Sequence, residues 1–129
     1  MDLLLDTQAW LWLASGERKL AGRARRLVED RANAVYLSSA SVWEVAIKRS
    51  RGKLELEGPL EEVIPQVLAA QGVLELPVRH VHALRVASLP WLHHDPFDRL
   101  LVAQALEEDL ALVSADPRLA AYGVRVIRA

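Results

Sequence analysis

Four acids in this sequence stand beside short apolar runs, and together they would make a set of oxygen ligands. Asp6 follows Leu3–Leu5, and Asp116 follows Leu110–Val113 at the junction Ser114-Ala115-Asp116-Pro117. Glu44 comes just after Ala34–Ser38, and Asp98 lies in the stretch HHDPFDRLLVAQA. Two carboxylates about 4 Å apart repel by up to roughly 4 kcal/mol at an effective dielectric near 20, so acids gathered in one place need protons or a cation. Oxygen donors in a chain without cysteine suit Mg²⁺, with Mn²⁺ as a substitute. Such an ion can activate water and stabilise the leaving oxygen of a phosphodiester.

Each acid also has an ordinary local use. Asp95 suits a helix N-cap, Pro96 the first helical position, and Asp98 the third, where a carboxylate meets free backbone donors in a capping-box-like pair. Asp6 can cap the helix-like Gln8–Leu13. Ser41-Val42-Trp43-Glu44 has the form of a capping box, and Lys48 stands four residues beyond Glu44 as an ordinary helical ion partner. Repetition separates the set from four unrelated caps, because one fold would bring all four junctions to the same place.

That fold follows from the alternation of elements. Leu3–Leu5, Ala34–Ser38, Val73–Val78, Leu110–Val113 and Val124–Ile127 are five strand-like runs. Between them lie helical patterns at Gln8–Leu13, Leu20–Asp30, from Ser41 to Gly52, Leu60–Ala70 with Pro65 kinking or dividing it, His80–Ala87 and Asp95–Leu106, then a short helix over Pro117–Ala121. The alternation of strands with helices predicts an α/β fold, a three-layer α/β/α sandwich around a parallel sheet of about five strands. Its working crevice is expected where the strands end, which is where the acids fall. Arg99–Leu106 is apolar on nearly every side, which marks a helix buried between other elements.

Composition bounds the rest. A chain of 129 residues fits one domain, 1–129, and 52% hydrophobic with 26% charged residues is ordinary for a globular protein. The lack of cysteine excludes disulfides, thiolate metal sites and a cysteine nucleophile. No apolar stretch approaches a membrane span and MDLLLD lacks a basic leader region, so a cytoplasmic location is expected. A net charge of −1 argues against broad, sequence-independent nucleic-acid binding, although a local groove is compatible with the cluster Lys48, Arg49, Arg51 and Lys53. His80 and His82 do not share a helical face, and His93 and His94 are adjacent rather than spaced as ligands, so no histidine metal site is expected. Trp10 and Trp12, two apart, cannot both face inward, which leaves at least one for a groove or an interface.

Taken together, the segments LLLDT, SSASVWEVAIK, GKL, HHDPFDRLLVAQA and LVSADPRLAAYGV resemble, in order and spacing, the PIN-domain ribonucleases, most closely the VapC toxins of type II toxin–antitoxin pairs. The resemblance covers essentially the whole chain. It implies a Mg²⁺-dependent endoribonuclease that cleaves RNA, is inhibited by a small VapB-like antitoxin, and forms a homodimer. Position by position it implies that Asp6, Glu44, Asp98 and Asp116 are the catalytic, metal-binding acids. Thr7 and Ser114 stand where a hydroxyl of the family orients the acids or a water, and Asp95 is a neighbour better read as a cap than as a ligand. Gln8 departs from the histidine that often follows DT in the family.

Other functions share parts of this pattern. An RNA-processing nuclease of the same family without an antitoxin has the same chemistry, and a catalytically inactive PIN-like binding module has the same fold, though the complete acid quartet opposes it. A phosphoacceptor receiver domain would need paired acids after the first strand and a lysine after the last. Here Asp6 is followed by Thr7, and the chain ends its final strand at Ile127-Arg128.

Overall fold

Leu3–Leu5 (β1) consists of three consecutive leucines, all fully buried, as a strand covered on both faces must be. The computed structural model describes residues 1–16, 19, 20, 22–54 and 56–129. β1 pairs in parallel with Val35–Ser38 (β2) on one side and Ala111–Ser114 (β4) on the other. Leu74–Leu76 (β3) and Val126–Arg128 (β5) complete a wholly parallel sheet of order β3-β2-β1-β4-β5.

Because side chains alternate along a strand, β1 feeds two cores. Leu3 and Leu5 pack with Trp10 of Thr7–Ser15 (α1), Ala24 of Gly22–Glu29 (α2), Val45 of Ser39–Ser50 (α3) and Ile64 of Leu60–Gln71 (α4). Leu4 packs on the opposite side with Leu101, Val102 and Ala105 of Pro96–Glu108 (α6), Val86 of His80–Ser88 (α5), and Leu119 of the 3-10 helix Pro117–Tyr122. The result is the expected three-layer α/β/α sandwich. Among the described residues no helix is long and apolar enough to cross a membrane.

Several boundaries differ from expectation for identifiable reasons. α3 begins at Ser39, capped by Ser38, whose hydroxyl accepts from Ala40 N at 3.0 Å. Ser41 therefore lies inside the helix, buried, with its hydroxyl unpartnered, and the predicted capping box from Ser41 to Glu44 does not form. Pro65 sits on an exposed turn of an unbroken α4, where the carbonyl left without its helical N–H can meet water. β3 is shorter than the run Val73–Val78, while β4 and β5 each begin after the predicted first residue. Trp10 is the inward tryptophan, its Nε1 donating to Gln71 Oε1 at 3.0 Å, and Trp12 is half-buried.

α6 runs as predicted, with Asp95 at the cap accepting from Phe97 N at 2.9 Å and Asp98 N at 3.3 Å. Its first buried residue is not apolar. Arg99, 3% exposed, donates to the carbonyls of Pro90, Val86 and Leu89 at 2.8, 3.2 and 3.4 Å and to Tyr122 Oη at 3.1 Å. Its guanidinium also lies 4.1 Å from the centre of the Trp91 ring. This clamp fixes the segment that leads from α5 through His93 to the start of α6.

Candidate active site

The winding of the sheet reverses between β1 and β4, and the two strands are joined at their carboxyl ends by Asp6 N donating to Val113 O at 3.0 Å. A crevice belongs at such a point. Asp6, Glu44, Asp98 and Asp116 all line one open cleft of about 400 Å³, with Thr7, Lys48 and Asp95 beside them. β1 delivers Asp6 and β4 delivers Asp116 through Ser114. α3 carries Glu44 on its second turn, and α6 carries Asp98 on its first.

Asp6 is the deepest of the acids at 8% exposed. Its Oδ1 caps α1 by accepting from Ala9 N at 2.7 Å, and the Ser114 hydroxyl also hydrogen-bonds the carboxylate. Burial nevertheless pushes its pKa from 3.8 up to about 6, with the charges of Asp98 and Glu44 adding to the rise. Asp98 is raised too, first by burial and then by Asp95 and Glu44, against the opposing hydrogen bond from His93. Asp116 moves the other way, because Arg118 holds it ionised. The Arg118 fork reaches both its oxygens, Nε to Oδ1 at 2.9 Å and Nη2 to Oδ2 at 2.8 Å, while Arg118 N donates to Oδ1 at 3.0 Å.

Hydroxyls complete the acid framework. Ser114 Oγ accepts from Asp116 N at 3.1 Å while serving Asp6, so one side chain orients two acids. Thr7 Oγ1 is buried without a hydrogen-bond partner, an unusual state for a hydroxyl beside a polar cleft and one a bound water would relieve. Glu44 pairs with Lys48 at 3.5 Å, as the helical spacing predicts.

Sequence reasoning missed two residues here. His93 Nε2 lies 2.9 Å from Asp98 Oδ2 and 3.7 Å from Asp116 Oδ2, and His93, Asp98 and Asp116 can each place a ligand atom within 4.8 Å of the others. Adjacency to His94 gave no hint of this, since only the folded Leu89–Asp95 segment brings His93 over the acids. Asp98 accordingly faces His93 rather than reaching back to the cap residue. Arg118 is the second, and the only signal for it is the short spacing Asp116-Pro117-Arg118. Of the four basic residues grouped by sequence, only Lys48 lines the cleft. Arg49 instead donates to Gly58 O at 2.6 Å, clasping the turn after α3, and Arg51 and Lys53 are exposed beyond the helix end.

Solved structures share this architecture over nearly the full chain. VapBC2 from Rickettsia felis, bound to a DNA fragment from its promoter, matches with a TM-score of 0.74 at 13% identity, covering 98% of both chains. VapBC-1 from nontypeable Haemophilus influenzae matches at 0.67 and 16%, over 98% of this chain and 97% of that one. FitAcB from Neisseria gonorrhoeae matches at 0.62 and 21%, over 98% and 96%. At such identities the likeness is one of fold. In sequence, Ribonuclease VapC16 of Mycobacterium tuberculosis is 38% identical over 58 residues, which make up 45% of this chain and 41% of that protein. The family model described as PIN domain matches residues 3–124, from the first residue of β1 to the approach of β5, and so takes in every element that carries an acid of the cleft: the chain belongs to the PIN domain family.

Proposed function

We propose that the chain is a metal-dependent endoribonuclease of the VapC type, the toxin of a toxin–antitoxin pair. The observation that carries this is the convergence of Asp6, Glu44, Asp98 and Asp116 on one cleft, with Asp6 and Asp98 both pushed up in pKa by burial. Acids so placed gain most from a cation. The donors are hard oxygens with one imidazole, His93, which fits Mg²⁺ and also Mn²⁺, and the unpartnered Thr7 hydroxyl leaves a place for an ordered water. Similarity to a protein named Ribonuclease VapC16 and to structures of VapBC complexes supports the class of substrate and the kind of partner.

Asp6, Glu44, Asp98 and Asp116 are the residues that would hold the ion, and of these Asp98 and Asp116, together with His93, bring ligand atoms within 4.8 Å of one another. A divalent ion held there supplies Lewis acidity for activating water and for neutralising charge on the phosphodiester. The chain's own contribution is placement. Ser114 fixes Asp6 and Asp116 relative to one another, Arg118 keeps Asp116 ionised, and Lys48 offers a cation to a backbone phosphate at the cleft wall. A VapB-like antitoxin and a second copy of the chain are the partners this function implies.

Cleavage of end-labelled RNA tests the proposal, with protein freed of any partner by denaturation and refolding. Cleavage in Mg²⁺ or Mn²⁺, abolished by EDTA and lost in Asp98→Asn, is the expected result. Cleavage that persists in EDTA or at an unchanged rate in the variant would overturn it.

A further inference from the structure

Resting on the ribonuclease function above, we propose that Trp43, backed by Phe97, is a stacking platform for a nucleobase of the RNA strand, beside the acids. Trp43 is 63% exposed although it is among the largest apolar side chains of the protein. It immediately precedes Glu44 on α3, as Phe97 immediately precedes Asp98 on α6, so the aromatic pair joins the two helices that carry these acids, on helix faces next to the ones that line the cleft. The ring centres are 5.4 Å apart and the planes are inclined at 61°, an edge-to-face contact. Whichever ring presents its edge, at least one face of Trp43 stays uncovered. Phe97 is half-buried and its amide is held by Asp95 Oδ1 at 2.9 Å, so the partner that orients Trp43 is itself fixed.

Charge makes a neutral handle necessary at this cleft. Its walls carry Asp6, Glu44, Asp95, Asp98 and Asp116, while the basic side chains described at it, Lys48 and Arg118, are already paired with Glu44 and Asp116. Phosphate contacts and counterion release, which dominate binding to basic proteins, rest here on few cations, Lys48 first among them. A tryptophan face binds any base through its π-system without regard to phosphate charge. Bases in a duplex are already stacked, so the platform selects single-stranded or unpaired RNA.

The test measures binding in EDTA, where the metal-dependent reaction is off, of a short labelled single-stranded RNA and of the same ribose-phosphate backbone without bases. Wild type, Trp43→Ala and Trp43→Phe are compared, each also sized by light scattering. The wild type is expected to favour the base-bearing strand, and Trp43→Ala to weaken that strand's binding by about tenfold or more. Binding of the abasic strand should be unchanged, and Trp43→Phe should recover most of the loss. Equal affinity of wild type and Trp43→Ala for the RNA, or an equal loss on both strands, would overturn the platform. A fall in mass on Trp43→Ala would also overturn it, by assigning Trp43 to an interface between copies. If the wild type neither binds nor, with metal, cleaves any RNA, the ribonuclease function itself fails. If it does both while Trp43 is indifferent, only the platform fails.

Discussion

Replacing Asp6 by Asn removes a charge that its surroundings disfavour while keeping an oxygen where the structure uses one. Burial carries the Asp6 carboxyl from 3.8 to about 6, and at about 1.4 kcal/mol per pH unit ionising it inside the fold costs about 3 kcal/mol. A raised pKa means that the native state binds the proton more tightly than the unfolded chain does. The stability it contributes is therefore full below 3.8 and is lost as the pH rises through about 6. Asn can still accept from Ala9 N and so keep α1 capped. In EDTA, Asp6→Asn should match the wild type near pH 3.5 and exceed it by about 2–3 kcal/mol near pH 7.5, a rise in Tm of roughly 7–10 °C for a chain of this length. Urea or thermal denaturation followed by circular dichroism across this range provides the curve. A difference that does not vary with pH, or a variant less stable throughout, would refute the claim that Asp6 is held in an unfavourable, poorly solvated place.

Four further outcomes follow from the same geometry. Mg²⁺ or Mn²⁺ should raise the Tm of the wild type by relieving the carboxylate repulsion, by about 2.7 kcal/mol of stability at a hundred times Kd, and Asp98→Asn should lose most of that gain; a melt insensitive to millimolar metal in the wild type counts against a preformed site. Arg118→Ala should leave stability nearly unchanged but lower the Mn²⁺ concentration for half-maximal thermal shift several-fold, because the Arg118 fork and a cation compete for the same Asp116 oxygens; an unchanged midpoint would refute that competition. Arg99→Met should destabilise the fold by about 3–5 kcal/mol in urea titrations, since three carbonyls and the Tyr122 hydroxyl lose a charged donor; a loss below about 1 kcal/mol would mean that the clamp is not what fixes the Leu89–Asp95 segment. His82→Leu should cost about 1–3 kcal/mol, because the buried ring accepts from Arg79 N at 3.0 Å and leucine leaves that amide without its acceptor, while the exposed Glu108, 2.8 Å from the ring, can turn to water; a neutral effect in the same titrations would contradict this.

The acids and the strand ends that present them were legible because local chemistry and tertiary need coincide there. Leu3–Leu5 is too short and too apolar to be anything but a covered strand, and Asp95-Pro96 marks a helix start on cap chemistry alone. The capping box offered as the local use of Glu44 does not form. Ser38, Ser39 and Ser41 are equally good caps in sequence, and the choice of Ser38 depends on its place as the last residue of β2, opposite Leu76 of β3. His93 could not be read, because its approach to Asp98 depends on a segment held by Arg99, a residue that the surrounding run disguises as part of an apolar face. The basic cluster around Lys48 looked like one patch for the converse reason: the end of α3 at Ser50 sends Arg49 to Gly58 and leaves Arg51 and Lys53 beyond the helix.

Anomalous diffraction from crystals soaked in Mn²⁺ tests most directly whether these four acids form a cation site. A peak is expected in the cleft lined by Asp6, Glu44, Asp98 and Asp116, with no such peak in Asp98→Asn crystals. A cleft without a peak at saturating Mn²⁺, or an ion bound only at acids elsewhere on the surface, would contradict it.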